Sequence, residues 1–67
     1  MYNAIEVGKK LRALRGNSSI ENVAKAVDIS PSALSMYENG ARVPRDDIKI
    51  MLAQFFNTTV GDLFFGE

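Results

Sequence analysis

The chain has 67 residues and a mass of 7.4 kDa, which we interpret as one domain, residues 1–67, with no room for a second. It contains no cysteine and no histidine, which argues against a disulfide framework and a structural zinc site. Its apolar runs are only a few residues long and its N-terminus lacks a signal-peptide pattern, so we expect a cytoplasmic protein without membrane segments.

The net charge of zero comes from eight basic and eight acidic residues and, taken alone, argues against a simple binder of polyanions. The charges are unevenly distributed along the chain. Residues 1–45 hold seven basic and four acidic side chains, a net charge of +3, whereas residues 46–67 hold one basic and four acidic, a net charge of −3. This asymmetry indicates a charged binding face on the first part of the chain.

The first of five short helical patterns covers about residues 3–15. Asn3 and Glu6 have the spacing of a capping box, and Gly16 with Asn17 can end the helix in a left-handed conformation. The small and apolar residues of this pattern fall on one face: Ala4, Val7, Gly8, Leu11 and Leu14.

The second pattern starts at Ser18 or Ser19. Either serine can cap the helix, and Ser18 has capping-box spacing to Glu21, so the start is open by one residue. Asp28 ends the pattern. Its apolar stripe comprises Ile20, Val23, Ala24 and Val27.

The third pattern begins with Ser30 and Pro31, an N-cap followed by proline in the first turn, and ends at Asn39 and Gly40. The fourth covers about residues 46–56 and carries two aspartates in its first turn, where they suit the helix dipole. Its apolar stripe comprises Ile48, Met51, Leu52, Phe55 and Phe56.

The most informative stretch is residues 20–39, IENVAKAVDISPSALSMYEN. Two short helices that cross near a right angle need a small residue where their backbones approach, and Ala24 is suitably placed. They also need apolar contacts on both sides of a tight turn, which Val27 and Ile29 supply. The turn usually takes a residue that tolerates positive φ, which Asp28 does less readily than glycine.

Over about residues 7–63 the chain resembles the lambda-repressor-like, Cro-type helix-turn-helix DNA-binding family. The resemblance rests on VGKKLRALR, on the stretch above, on ENG with a proline four residues later, and on TTVGDLF. It implies a compact all-α domain of five helices with the helix-turn-helix at helices two and three. It also implies a bacterial or phage transcriptional regulator, a repressor that binds double-stranded DNA at an inverted-repeat operator as a homodimer, with its third helix in the major groove.

The resemblance assigns the base-facing positions to the third helix. Ser32, Ser35 and Met36 have the spacing of one helical face, opposite Leu34 and Tyr37. The alternative to DNA contact is that this face is merely solvated. Without a bidentate arginine or glutamine reader, direct readout of bases should be modest, and phosphate contacts and DNA shape should contribute much of the affinity. The assigned residues are Ser30, Pro31, Ser32, Ser35 and Met36.

After the third helix, the resemblance assigns Asn39, Arg42 and Arg45 to the DNA backbone or minor groove, although the two arginines could simply keep a loop soluble. Ile20 stands where relatives have a phosphate-binding glutamine, and we interpret it as a staple or core residue.

Arg15 and Glu38 match a pair that relatives join as a partly buried salt bridge between helices one and three. The alternative is two unrelated surface charges. The other basic residues of the first two helices are interpreted as solvated faces that add long-range attraction: Lys9, Lys10, Arg12 and Lys25.

The fifth pattern is short, with a cap signal in Thr59 and Asp62 followed by the three apolar residues Leu63, Phe64 and Phe65. At most two of the three can face the domain's own core. We predict that this segment forms the homodimer contact, through Phe64 or Phe65 in particular, and the alternative is packing within the same chain.

An enzyme is not expected, because the serines lack a partnered base and the chain has no phosphate loop or metal-ligand cluster. We expect no cofactor, no metal and no small-molecule ligand. The competing function is a protein-interaction module, antitoxin-like or anti-repressor-like, with weak DNA binding. In either case a regulatory partner protein could control it.

Overall fold

The computed structural model describes residues 2–66. In that range the chain forms five α-helices and no β-strand, which confirms the predicted fold class. None of these helices is long and apolar enough to cross a membrane. The helices are α1 (Ala4–Arg15), α2 (Ile20–Ala26), α3 (Pro31–Glu38), α4 (Asp46–Phe55) and α5 (Val60–Phe64).

Four of the helices begin with a side-chain oxygen that accepts a hydrogen bond from the backbone N–H three residues later. Ser19, not Ser18, caps α2, which settles the start that the sequence left open. The fourth helix, α4, follows Arg45 without such a bond from its cap residue. The capping side chains are those of Asn3, Ser19, Ser30 and Thr59.

Three of the helices end in the same left-handed turn. At these three ends the residues with positive φ are Asp28 at 58°, Gly40 at 72° and Asn57 at 59°. In each case the next residue donates its N–H to a carbonyl five positions earlier at 2.9 Å, as Ile29 does to Ala24. These are Schellman ends, and at Asp28 the chain makes the sharp turn between α2 and α3 with a residue other than glycine.

The core lies where the inner faces of all five helices meet, and the most enclosed large side chains include Leu11, Leu34, Leu52 and Phe64. Two large apolar residues of the predicted stripes are not part of it. Leu14 and Phe55 are 45% and 46% exposed. Leu14 lies at the edge of the α1 stripe, since successive residues turn by about 100°. Phe55 lies near the middle of the predicted α4 stripe, but the residues of α4 that are buried are Ile48, Leu52 and Ala53, so the covered face is rotated away from Phe55.

A close backbone contact joins α1 to the end of α3 at Gly8. A Cβ atom added at Gly8 would overlap the carbonyl oxygen of Glu38 and lie 2.9 Å from that of Tyr37. Both of these neighbours are backbone atoms, which cannot rotate away as a side chain can. The missing side chain at Gly8 therefore sets the distance between α1 and α3.

Gly8→Ala should lower the free energy of unfolding by about 1–2 kcal/mol, measured by urea denaturation. Alanine favours an ordinary helix interior by about 0.5–1 kcal/mol over glycine, but overpacking a tight contact costs about 1–3 kcal/mol. The control is Lys9→Ala at the next position, an exposed side chain whose removal should change stability by less than about 0.5 kcal/mol. A Gly8→Ala protein as stable as the wild type would show that α3 can move away at little cost.

Candidate nucleic-acid interface

The outer face of α3 carries the five residues predicted to face bases. Ser30, Pro31, Ser32 and Met36 are exposed, and Ser35 is half-buried. On the opposite side of the helix, Leu34 and Tyr37 are 1% and 6% exposed and belong to the core.

Ser30 already uses its hydroxyl oxygen to accept a hydrogen bond from the Ala33 N–H at 3.0 Å. Its O–H group still has a proton to donate, because a hydroxyl both donates and accepts. Pro31 offers no N–H. The polar chemistry of this face therefore comes from serine hydroxyls and the backbone, with Met36 as its exposed apolar contact.

The loop between α3 and α4 carries the predicted backbone contacts Asn39, Arg42 and Arg45, and all three residues are exposed. Both arginines line an open cleft of about 370 Å³ that Ser30 also borders. Arg45 forms a loose ion pair with Asp47 at 3.6 Å, in which both side chains are well exposed. Such a pair is worth little in water, so it leaves the guanidinium available to another anion.

Arg15 and Glu38 form a two-point ion pair between α1 and α3. The Arg15 Nε and Nη2 atoms donate to the two carboxylate oxygens of Glu38 at 2.6 and 3.0 Å, and Nη1 donates to the carbonyl of Ser18 at 2.8 Å. The Glu38 side chain is only 2% exposed. Hydrogen bonding to Glu38 raises the pKa of Arg15 above its ordinary value, partly offset by burial. One guanidinium thus joins α1, α3 and the turn that leads into α2.

Arg12 is exposed, as expected of a solvated face, but its guanidinium also makes two interactions that the sequence did not predict. Its Nη2 atom donates to the side-chain oxygen of Asn39 at 2.8 Å, and its Nε atom lies 3.7 Å from Glu38. The available signal was the spacing of Arg12 and Arg15, which places both on one side of α1. Ile20 is half-buried and packs against the core, as expected of a staple or core residue.

The predicted dimer contact needs correction at two of its three positions. Leu63 and Phe64 are 2% and 1% exposed, because their side chains fill the chain's own core. Phe65 is 38% exposed. Its ring packs edge-on against Tyr2 with centroids 6.1 Å apart, and Lys49 Nζ lies 5.2 Å from the Phe65 centroid. Among the three residues, only Phe65 is left for a second copy.

Phe65 lies in a larger apolar area. Together with Ile50 and Val60 it lines an open groove of about 360 Å³ between α4 and α5. Ile50 is 50% exposed. Ile50 lies outside the apolar stripe of α4, so helical spacing does not indicate it as a contact residue.

The family model described as helix-turn-helix matches residues 9–63. The P22 c2 repressor, solved in complex with a synthetic operator, has a TM-score of 0.86 at 22% identity, and the match covers 91% of this chain and 96% of that one. The BldD DNA-binding domain from S. venezulae has a TM-score of 0.74 at 28% identity, with coverage of 91% and 94%.

A longer structural neighbour is the clp gene regulator ClgR from Corynebacterium glutamicum. It has a TM-score of 0.79 at 22% identity over 90% of this chain, which spans only 66% of the length of ClgR. No curated protein matches the chain.

The Arg15–Glu38 pair should behave as a coupled unit in thermal melts followed by circular dichroism. We expect Arg15→Ala and Glu38→Ala each to lower the melting temperature by on the order of 10 °C, and the double variant to lose much less than their sum. Arg15→Ala should be the more harmful, because it leaves a buried carboxylate with only Arg12 nearby at 3.7 Å.

The matched control is the exposed pair of Glu6 and Lys9, 3.8 Å apart with side chains 62% and 70% exposed. Alanine at these positions should have small and additive effects on the melting temperature. Additive losses at Arg15 and Glu38 would contradict the coupling.

Proposed function

The chain belongs to the lambda-repressor-like helix-turn-helix family, as a DNA-binding transcription regulator and not an enzyme, and from that premise we propose its mode of action. The protein is a bacterial or phage repressor, acting in the cytoplasm where the DNA is. It binds an inverted-repeat operator as a homodimer, with α3 in the major groove.

The observation that carries this proposal is the division of α3 into two faces. The inner face packs into the core, whereas the side chains of the outer face are not needed for packing. Of these outer residues, Ser30 also caps the helix. Arg42 and Arg45 follow α3 in the chain and line an open cleft that Ser30 also borders. A helix with a free outer face flanked by cations suits a major groove bordered by phosphates.

Serine hydroxyls and the Met36 thioether would read bases on this face. Serine can donate to or accept from a base edge, and methionine can contact a thymine methyl group. Neither makes the two-point contact that gives arginine and glutamine their discrimination. Specificity should therefore depend strongly on how the operator bends and on phosphate contacts to both half-sites.

In the homodimer, a second copy of the chain would pack against the groove between α4 and α5. Phe65 and Ile50 are exposed aromatic and aliphatic side chains on one apolar surface, the kind of residue that anchors an interface. Two subunits would present their α3 helices about 34 Å apart, one turn of the duplex. With a net charge of zero, one subunit alone should bind DNA weakly.

The competing function, a protein-interaction module with weak DNA binding, is favoured by one observation. Ile20, at the position of the family's glutamine, is half-buried against the core and offers no polar group to a phosphate. The same surfaces could also receive a regulatory partner protein under either function.

Binding to DNA should depend steeply on salt. A duplex selected from a random pool should show two-fold symmetry. The affinity of the protein for this duplex, measured by fluorescence anisotropy, should fall on the order of a thousandfold between 50 and 200 mM salt if six phosphates are contacted. Arg42→Ala and Arg45→Ala should each reduce the salt slope by about 0.9, whereas Lys25→Ala, an exposed cation on α2, serves as the control. No binding, or binding insensitive to salt, would favour the interaction module.

Dimerisation should depend on Phe65. Sedimentation equilibrium should show a monomer–dimer equilibrium whose dissociation constant rises roughly tenfold or more in Phe65→Ser. Phe55→Ser, which removes a comparably exposed ring at a different groove, should leave it unchanged. A wild-type protein that stays monomeric at high micromolar concentration, with and without operator, would rule out the homodimer.

A further inference from the structure

We propose that Arg12 is a positioning residue: it orients the side chain of Asn39 so that the Asn39 amide nitrogen faces outward to donate to a DNA phosphate. The inference deepens the proposed function and rests on it. Arg12 itself need not touch the DNA in this arrangement.

The orientation follows from the chemistry of the two groups. Arg12 Nη2 lies 2.8 Å from the side-chain oxygen of Asn39, across 27 positions of sequence. A guanidinium only donates hydrogen bonds, so the atom of Asn39 that faces it has to be the oxygen. The amide nitrogen is consequently turned away from Arg12, and no hydrogen bond within residues 2–66 occupies it.

Arg12 is itself held in place from the other side. Its Nε atom lies 3.7 Å from a carboxylate oxygen of Glu38, whose two oxygens are already fixed by Arg15. The result is a row of charged and polar groups, Arg15, Glu38, Arg12 and Asn39, running from α1 to the C-terminal cap of α3. The buried ion pair thus extends to an exposed side chain at the edge of the candidate interface.

A held amide has an advantage over a free one. An asparagine side chain that rotates freely presents its oxygen to a phosphate as often as its nitrogen, and the oxygen repels the phosphate. Asn39 would have to lose that freedom on binding, whereas in this structure Arg12 has already restricted it. Ordering one polar side chain in advance corresponds to roughly a three- to tenfold gain in affinity.

Salt dependence separates positioning from direct contact. Asparagine is neutral, so its contact with a phosphate releases no counterion. Removing Arg12 should therefore change the salt slope no more than removing Lys9, a cation of the same helix that adds only long-range attraction. An arginine that neutralised a phosphate itself would contribute about 0.9 to that slope. The same measurement can therefore distinguish the two roles of Arg12.

The test is a double-mutant cycle on the full chain with the selected operator duplex, using Arg12→Ala, Asn39→Ala and the double variant. Arg12→Ala should weaken binding roughly three- to tenfold more than Lys9→Ala with the same salt slope as Lys9→Ala, and should have no effect beyond that of Lys9→Ala once Asn39 is alanine. Lys9→Ala is the matched control, because it removes one charge from the same helix without touching Asn39. Additive losses, or a slope reduced by about 0.9, would overturn positioning.

A second measurement needs no DNA. Nuclear magnetic resonance relaxation of the Asn39 side-chain amide should report an ordered group in the wild type and a mobile one in Arg12→Ala, with Arg12→Lys restoring part of the order. Mobility that is already high in the wild type, or unchanged in Arg12→Ala, would contradict the inference. If the wild type bound no duplex at all, the proposed function would fail, and the amide mobility would still decide whether Arg12 holds Asn39.

Discussion

The contact between α1 and the end of α3 is the constraint on which the rest of the fold depends. Gly8 has no side chain, which lets the two backbones approach, and one and two turns further along α1 the Arg12 and Arg15 guanidinium groups close around the buried Glu38 carboxylate. Arg15 also bonds the carbonyl of Ser18, so the entry to α2 is held by the same group. The direction in which the outer face of α3 points depends on this junction.

The helix ends could be predicted because their interactions are local. Each cap joins a side chain to an N–H three residues away, so Asn3, Ser30 and Thr59 could be identified from spacing alone. The exposure of Leu14 and the burial of Phe64 could not be predicted in this way. A helical stripe covers a wide arc, and only the neighbouring helices decide which part of that arc is enclosed.

The outer residues of α3 were predicted from periodicity and resemblance together, and the structure agrees with periodicity in leaving them accessible, Ser35 only in part. Their contacts with DNA remain predictions. The contact between Arg12 and Asn39 could not be predicted from the sequence, for a physical reason. In the sequence Arg12 is one of several basic residues on a helix, and its partner Asn39 comes close only after α1 and α3 have packed.

The two-faced character of α3 also bears on how such a protein changes its target. Ser32, Ser35 and Met36 contribute no cap and are not among the core residues, so new side chains there should have little effect on folding, and under the proposed mode of binding they would alter recognition. Ser30 and Pro31 have less freedom, since one caps the helix and the other suits its first turn. If α3 binds DNA as proposed, these three neighbouring positions are the ones at which specificity can change while the scaffold stays intact.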